Sequence, residues 1–251
     1  VTPDEGPAAP VDPLAEDPRV VAWLGDAYPT VRRFGELLAD QGVLRGLMGP
    51  REMPRLWERH LLNSAAVAAE LPAGVVADIG SGAGLPGVVL AAMRPDVHMV
   101  LVEPMERRCA WLSEVVGELG LDAEVRRARS EELCGRLLVD AVTARAVAPL
   151  DKLAGWTLPL LREGGVLVAL KGDRAEDELV AARDAIAALG GDEGVVREAR
   201  SVDGVPSTRV VRVVRVAAAV EQRPMADRVG GNRTAVSRGE RSRRRRGGRS
   251  R

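Results

Sequence analysis

Hydrophobic and polar positions follow different rules in successive parts of the chain. Residues 1–18 hold five prolines and five acidic residues and no basic one. Such a composition neither nucleates a helix nor fills a core, so a disordered acidic leader is expected there. Over residues 19–72 apolar side chains recur at helical spacing: Val20, Trp23 and Leu24; Val31, Phe34, Leu37 and Leu38; Leu56, His60 and Leu61. Gly42, Gly46 and Gly49-Pro50 interrupt the pattern. Three helices are predicted in this part.

Beyond Leu71 short Val/Ile/Leu runs alternate with amphipathic stretches. Strands are predicted at Val75–Ile79, His98–Val102, Ala123–Arg127, Ala141–Ala144 and Val166–Leu170, with helices between them. This rhythm is that of right-handed βαβ units in a doubly wound parallel sheet. After a helix near Ala175–Leu189, the runs Val195–Ala199 and Arg209–Val216 are separated only by a loop with Gly204 and Pro206. They predict an antiparallel hairpin at the sheet edge. The sheet part is therefore bounded at residues 73–218, and the Arg-rich, low-complexity segment 219–251 is expected to be disordered.

Composition narrows the function classes. The chain of 251 residues suffices for one large α/β domain. No stretch of about 18 residues is free of charge, and the start lacks the basic and apolar regions of a signal peptide, so a soluble cytoplasmic protein is expected. Two cysteines and two histidines without a Cys-x-x-Cys pair argue against a disulfide scaffold and a zinc site. Cys109 and Cys134 are read as packing residues. Aromatic residues make up only 2%, which excludes base stacking as a major binding mode. The zero net charge is an average of two unlike parts. Residues 221–251 hold eleven Arg against three acids, a net of +8, leaving 25 basic and 33 acidic residues before them. Since 34 of the 36 basic residues are Arg, with only Lys152 and Lys171 as lysines, an Arg count alone carries little meaning.

The strongest chemical signal is VVADIGSGAGLPG, residues 75–87. A strand ends in Asp78, and Gly80, Gly82 and Gly84 lead through Leu85 to Gly87 and an apolar helix. Glycines there let the backbone approach a ligand closely and open a helix whose amides face the site. Glu103, at the end of the second strand, stands nineteen residues after Gly84, where an acid can accept both hydroxyls of a ribose. A compact loop preceded by an acid suits a cofactor without a pyrophosphate, Asp78 orienting its cationic amino-acid end. S-adenosyl-L-methionine fits that description. A bare strand-to-helix turn and a dinucleotide site are the competing readings.

Further pieces lie at the same sheet edge. In ARSEEL, residues 128–133, Ser130 and Glu131 offer a hydroxyl and a backbone amide to an adenine ring, or Ser130 caps a helix. DAVTARAVAPL, residues 140–150, places Arg145 as the one charged side chain in an apolar turn, able to donate to a phosphate, a carboxylate or a guanine edge. No Pro-Pro-aromatic motif and no cysteine nucleophile accompany this strand, which argues against amino-methylation of adenine and carbon methylation of pyrimidines. RLWERHLLNS, residues 55–64, sets Arg59 or His60 one turn from Asn63, as a packed helix or a site. LKGD, residues 170–173, brings Lys171 to the same edge, to meet substrate phosphate or solvent.

Taken together, DIGSGAGLPGVVLAAMRPD, RHLLNS upstream, TARAVAPL and ALKG resemble the bacterial G-type 16S ribosomal RNA (guanine-N7) methyltransferases, over about residues 43–216. The resemblance implies a Rossmann-like class I methyltransferase fold: a seven-stranded, mostly parallel sheet with an antiparallel edge hairpin and a helical N-terminal part. It implies methyl transfer from S-adenosyl-L-methionine to guanine N7 of 16S ribosomal RNA, in the small subunit or an assembly intermediate, by a monomer without metal or membrane. Cofactor contacts carry over to Gly80, Leu85, Ser130, Glu131 and Arg145, with Asp78, Gly82, Gly84 and Glu103 as loop and ribose partners. Arg145 and Lys171 are the residues expected at the reacting groups. The chain departs from the family in its leader, its Arg-rich end and RGLMGPRE, residues 45–52, where relatives carry an Asn-Leu-Thr stretch.

Two other readings compete: a small-molecule methyltransferase, and a non-catalytic S-adenosylmethionine- or RNA-binding protein. A dehydrogenase is disfavoured because the only tyrosine, Tyr28, lies in the N-terminal helices. The charge asymmetry makes a prediction of its own. Eight net positive charges add non-specific RNA affinity through counterion release without touching the chemistry. Deleting residues 221–251 should weaken RNA binding at low salt, flatten the dependence of affinity on salt and leave the single-turnover rate at saturating RNA nearly unchanged. A titration series with and without the segment measures it; an identical salt slope would show that RNA never meets it.

Overall fold

The computed structural model describes residues 12–217, so the expectations of disorder for the first eleven residues and for 219–251 lie outside the described residues. The strands are β1 (Gly74–Ile79), β2 (Val97–Val102), β3 (Ala123–Arg126), β4 (Val139–Arg145), β5 (Leu161–Lys171), β6 (Val195–Ala199) and β7 (Thr208–Val214). They form one seven-stranded sheet in the order β3-β2-β1-β4-β5-β7-β6. β1 to β5 pair in parallel, while β7 runs antiparallel to both β5 and β6. The predicted hairpin is thus present, with β6 outermost. From β1 the chain builds outward through β2 and β3 and then crosses back to add β4 on the other side. At this reversal the connections leaving β1 and β4 diverge and open a crevice above their carboxyl ends.

Alternation along the strands decides which side chain meets which layer. Val76, Met99, Ala141 and Val168 enter one hydrophobic cluster; Ala77, Val100, Val142 and Leu167 enter the other. The first cluster takes in Val31, Phe34 and Leu38 of α2 (Tyr28–Gln41), Val88 and Leu90 of α4 (Gly87–Met93), and Trp111 and Leu112 of α5 (Glu106–Leu119). The second is closed by Leu150 and Leu153 of α6 (Leu150–Thr157) and Ala182 and Ile186 of α7 (Ala175–Ala188). With few aromatics available, Leu and Val fill most of both. The N-terminal helices share the sheet's core and form no separate one. Among the described residues no helix is long and apolar enough to cross a membrane.

Two predicted features are corrected. The leader is not structureless up to residue 18: Pro13–Glu16 is a 3-10 turn, and α1 (Pro18–Leu24) starts at Pro18. Asp12 and Asp17 each cap the turn that follows, and proline at a first helical position has no amide to waste. Acids and prolines counted as breakers are here the start signals of two short helices. The third predicted helix is likewise not continuous. A 3-10 turn at Met53–Arg55 runs into a π-helical turn at Trp57–Leu61, and only Leu62–Ala65 (α3) is α-helical.

These corrections meet at one side chain. The Asp12 carboxylate accepts from the Leu14 amide at 3.1 Å and, across the chain, from the Trp57 amide at 3.0 Å. Asp12→Ala leaves both amides without their partner and should lower the unfolding free energy by ~1–2 kcal/mol. Urea unfolding measures the loss; an unchanged midpoint would mean that water replaces the carboxylate without cost.

Candidate functional site

The loop between β1 and α4 is held by its backbone. The amides of Gly80 and Ser81 both donate to the Val102 carbonyl at the end of β2, at 2.9 and 3.1 Å, and Ser81 Oγ donates to the Asp78 carbonyl at 2.9 Å. The Gly82 amide donates to Glu103 Oε2 at 3.0 Å, and Trp111 Nε1 on α5 donates to the Ala83 carbonyl at 2.9 Å. Gly80 and Gly82 sit at φ +72° and +56°, which side chains rarely tolerate. A Cβ on Gly82 would meet one atom within 4 Å, the Gly80 carbonyl oxygen at 3.7 Å, an ordinary contact that leaves its other sides open.

That space is a cavity of about 630 Å³ at the sheet's carboxyl edge. Of the residues predicted for the site, Gly80, Gly82, Leu85, Glu103, Ser130, Glu131 and Arg145 line it together. Glu103 is buried; its Oε1 accepts from the Met105 amide at 2.9 Å, so both of its oxygens serve backbone amides. Ser130 opens the 3-10 turn Ser130–Leu133 rather than capping it, because Arg129 occupies the cap position; the Ser130 hydroxyl donates to Glu131 Oε2 at 3.3 Å.

Three predicted residues lie elsewhere. Gly84 faces the core, where a Cβ would stand 2.7 Å from Val88 and 3.1 Å from Phe34. Asp78 is fully buried beneath the loop, its Oδ2 accepting from the Gly87 amide at 3.1 Å while Oδ1 has no partner. Burial pushes its carboxyl up to about 7 against the pull of that hydrogen bond and of Arg145. Lys171 lines a second cavity of about 900 Å³, which shares the wall Arg145–Val147 with the first. Its side chain is buried and already partnered: Nζ donates to the Ala148 carbonyl at 2.7 Å and to Glu178 Oε2 at 2.8 Å. Glu178 Oε2 also accepts from the Leu150 amide at 3.0 Å. The pair clamps the turn after β4, in which Ala146 holds φ +53°, the one non-glycine in the left-handed region among the described residues. The cysteines divide as well: Cys109 packs as expected, its Sγ on the Glu103 carbonyl at 3.0 Å, whereas Cys134 is exposed.

Sequence reasoning missed one wall. Leu47, Met48, Gly49 and Glu52 close the first cavity from the N-terminal side, from a segment without periodicity. Glu52 accepts from His60 Nε2 at 2.8 Å, and His60 Nδ1 stands 2.9 Å from Arg145 Nη1. The proximity of His60 to Asn63 in sequence carried no hint of this; Asn63 turns to Thr208 on β7 instead.

The buried Asp78 gives a pH dependence. Unfolded, its carboxyl ionises near 3.8; folded, near 7. Between these values the unfolded chain releases the proton first, so stability falls as pH rises through the window and levels off above it. Asp78→Asn keeps an acceptor for Gly87 and cannot ionise. It should show no such slope and exceed the wild type by ~2–4 kcal/mol at about pH 8 in urea unfolding. A parallel slope in the variant would assign it to another group.

Comparison with known proteins agrees with this architecture. Residues 27–203 match the model of a family described as rRNA small subunit methyltransferase G. A protein of that name from Beutenbergia cavernae is 58% identical over 192 residues, 76% of this chain and 91% of the relative. One from Streptomyces coelicolor is 49% identical over 243 residues, 96% of this chain and 99% of the relative. Among solved structures, that of NSun6 from Pyrococcus horikoshii with SFG superposes with a TM-score of 0.50 at 14% identity, over 62% of this chain and 52% of that one, a likeness of fold alone. The match over most of the chain, with the glycine loop and the turn after β4 inside it, places the protein in the rRNA small subunit methyltransferase G family.

Proposed function

We propose that the protein transfers a methyl group from S-adenosyl-L-methionine to N7 of a guanine in 16S ribosomal RNA. The observation that carries this reading is the pair of cavities sharing the wall Arg145–Val147, one bounded by the glycine loop and one by the ends of β4, β5 and β7. Methyl transfer needs two ligands to meet end to end, and a shared wall at the switch point of the sheet offers that meeting place.

The first cavity fits the cofactor on its own chemistry. Its volume suits a small-molecule ligand, the open space at Gly82 admits a ligand against the backbone, and Glu103 supplies a carboxylate for ribose hydroxyls. Gly80, Gly82, Leu85, Glu103, Ser130, Glu131 and Arg145 would hold it. Asp78 would act from below the loop, by fixing Gly87 and through its charge. When bound, the cofactor supplies an electrophilic methyl on a sulfonium.

The second cavity would receive the guanosine. Guanine N7 has an in-plane lone pair and no proton to lose, so displacement at the methyl carbon forms the N7–C bond as the S–C bond breaks, with no base and no covalent enzyme intermediate. Position is therefore the main catalytic contribution. Arg145, with donors only, suits the O6 edge of the base or the cofactor carboxylate. Arg59 and Arg174 line the same cavity and suit flanking phosphates. Lys171 serves as the clamp of the turn rather than as a reacting group. In this reading the protein works as a monomer in the cytoplasm, on the small ribosomal subunit or an assembly intermediate, and the chemistry calls for no metal ion.

Mass spectrometry of 16S nucleosides from cells with and without the gene should show a methylguanosine that disappears; unchanged nucleosides would sink the reading. In parallel, Gly82→Val should abolish cofactor binding in calorimetry, because a branched side chain fills the open space and the left-handed backbone resists it. Unchanged affinity would remove the glycine loop from the cofactor site.

A further inference from the structure

Arg145 ends β4 half-buried, its guanidinium between the two cavities. A guanidinium held between two cavity walls is commonly matched by a carboxylate. Here Nη1 donates to the Nδ1 lone pair of His60 at 2.9 Å and reaches the Arg59 carbonyl at 3.4 Å, both neutral acceptors. Asp78 and Glu52 influence it through charge, without a hydrogen bond. The cation therefore keeps its charge and the rest of its fork available to a ligand, while its direction is set by an imidazole.

We infer that His60 is a positioning residue for methyl transfer, its Nδ1 lone pair aiming Arg145 between the cavities and Glu52 fixing the tautomer that leaves that lone pair free. The inference rests on the reading of the two cavities as cofactor and target-base sites. Arg145 can only donate, so Nδ1 carries no proton and Nε2 carries the one that Glu52 Oε2 accepts at 2.8 Å. The π-helical turn Trp57–Leu61 is where this ring is placed, and such turns recur at functional sites.

The charged groups facing the imidazole are Glu52 from the preceding segment, Arg59 from its own turn and Arg145 from β4, with Asp78 of β1 beyond Arg145. Burial and the two cations lower its proton affinity, and Glu52 offsets them in part. Protonation at Nδ1 sets donor against donor and pushes Arg145 from its place. Methyl transfer should fall on the acid side, with a midpoint below the ordinary imidazole value of 6.5.

The test uses single-turnover methylation of ribosomal RNA at saturating cofactor and RNA, followed against pH. In His60→Asn the amide oxygen takes the place of Nδ1 and accepts from Arg145, but cannot titrate. In His60→Gln the amide extends towards Glu52 and leaves nothing at Nδ1. His60→Gln should be slower by roughly tenfold or more, whereas His60→Asn should stay within about threefold of the wild type and lose the part of the acid limb that the imidazole contributes. Glu52→Ala should move the limb to lower pH, since the anion no longer favours the imidazolium. Equal loss in both His60 variants would overturn the inference, as would an acid limb that His60→Asn leaves unchanged when it is measured on an Asp78→Asn background, where the buried carboxyl no longer titrates. The protein has two histidines, so imidazole-nitrogen NMR of the full chain assigns the His60 tautomer directly. A proton on Nδ1 would overturn the positioning role whatever the assay shows, while a wild type that methylates no guanine would refute the reading of the cavities and leave the tautomer to decide the His60 geometry.

Discussion

The site depends on how closely α4 approaches the end of β1. At Gly87 there is room for a hydrogen and for nothing more: a Cβ there would collide with Leu101 and stand 2.6 Å from Asp78 Oδ2. This contact lets the buried Asp78 carboxylate take the Gly87 amide and fixes where the helix starts. The intervening loop is then too short to lie flat. It folds outward with its glycines in the left-handed region, its amides on Val102 and Glu103, and its outer face open to the crevice. A larger residue at Gly87 would lift α4 from the sheet and remove the floor of the cavity. The cost of the arrangement is a carboxylate withdrawn from water with one oxygen unpartnered, a penalty that a fold optimised only for stability would avoid.

The N-terminal helices are part of this construction. α2 delivers Phe34 against Gly84, behind the loop, while the segment after it turns Met48 and Glu52 to the front. One stretch of chain thus packs the back of the glycine loop and walls the cavity. Asp12 joins the turn Pro13–Glu16 to Trp57, where the turn that carries His60 begins. Arg145 owes its environment to this layer: the strand brings it to the switch point, and the N-terminal part supplies both acceptors for its guanidinium.

The turn after β4 is fixed from its other end. Lys171 and Glu178 bind the Ala148 carbonyl and the Leu150 amide, and they do so where the backbone has already been forced through the left-handed Ala146. Val147 then abuts Gly80, where a Cβ would stand 3.0 Å from its side chain. An ion pair buried at a turn contributes little net stability, since desolvation offsets most of its attraction. Its effect here is geometric: Arg145 and Val147 have one place to be, on the wall common to both cavities.

The sequence by itself determined the order and type of the sheet elements, because short Val/Ile/Leu runs, connection lengths and glycine punctuation are local signals that tertiary packing had no reason to override. β1, β2 and the edge hairpin fall within a residue or two of their predicted limits. The glycine loop and its acids were legible as well, as was Arg145, a lone charge in an apolar turn. What the sequence did not determine is which of these residues face the ligand. Gly80, Gly82 and Gly84 look alike in a motif, yet Gly84 packs on the core, and Asp78 lies under the loop. Lys171 at a strand end was indistinguishable from a free cation until α7 brought Glu178 to it. Glu52 was one acid among many in a segment without pattern, and only the folded chain sets it beside His60 and Arg145, eight and ninety-three positions away. Local periodicity encodes which element forms. Side-chain partnership across elements is a property of three-dimensional proximity, and no spacing along the chain records it.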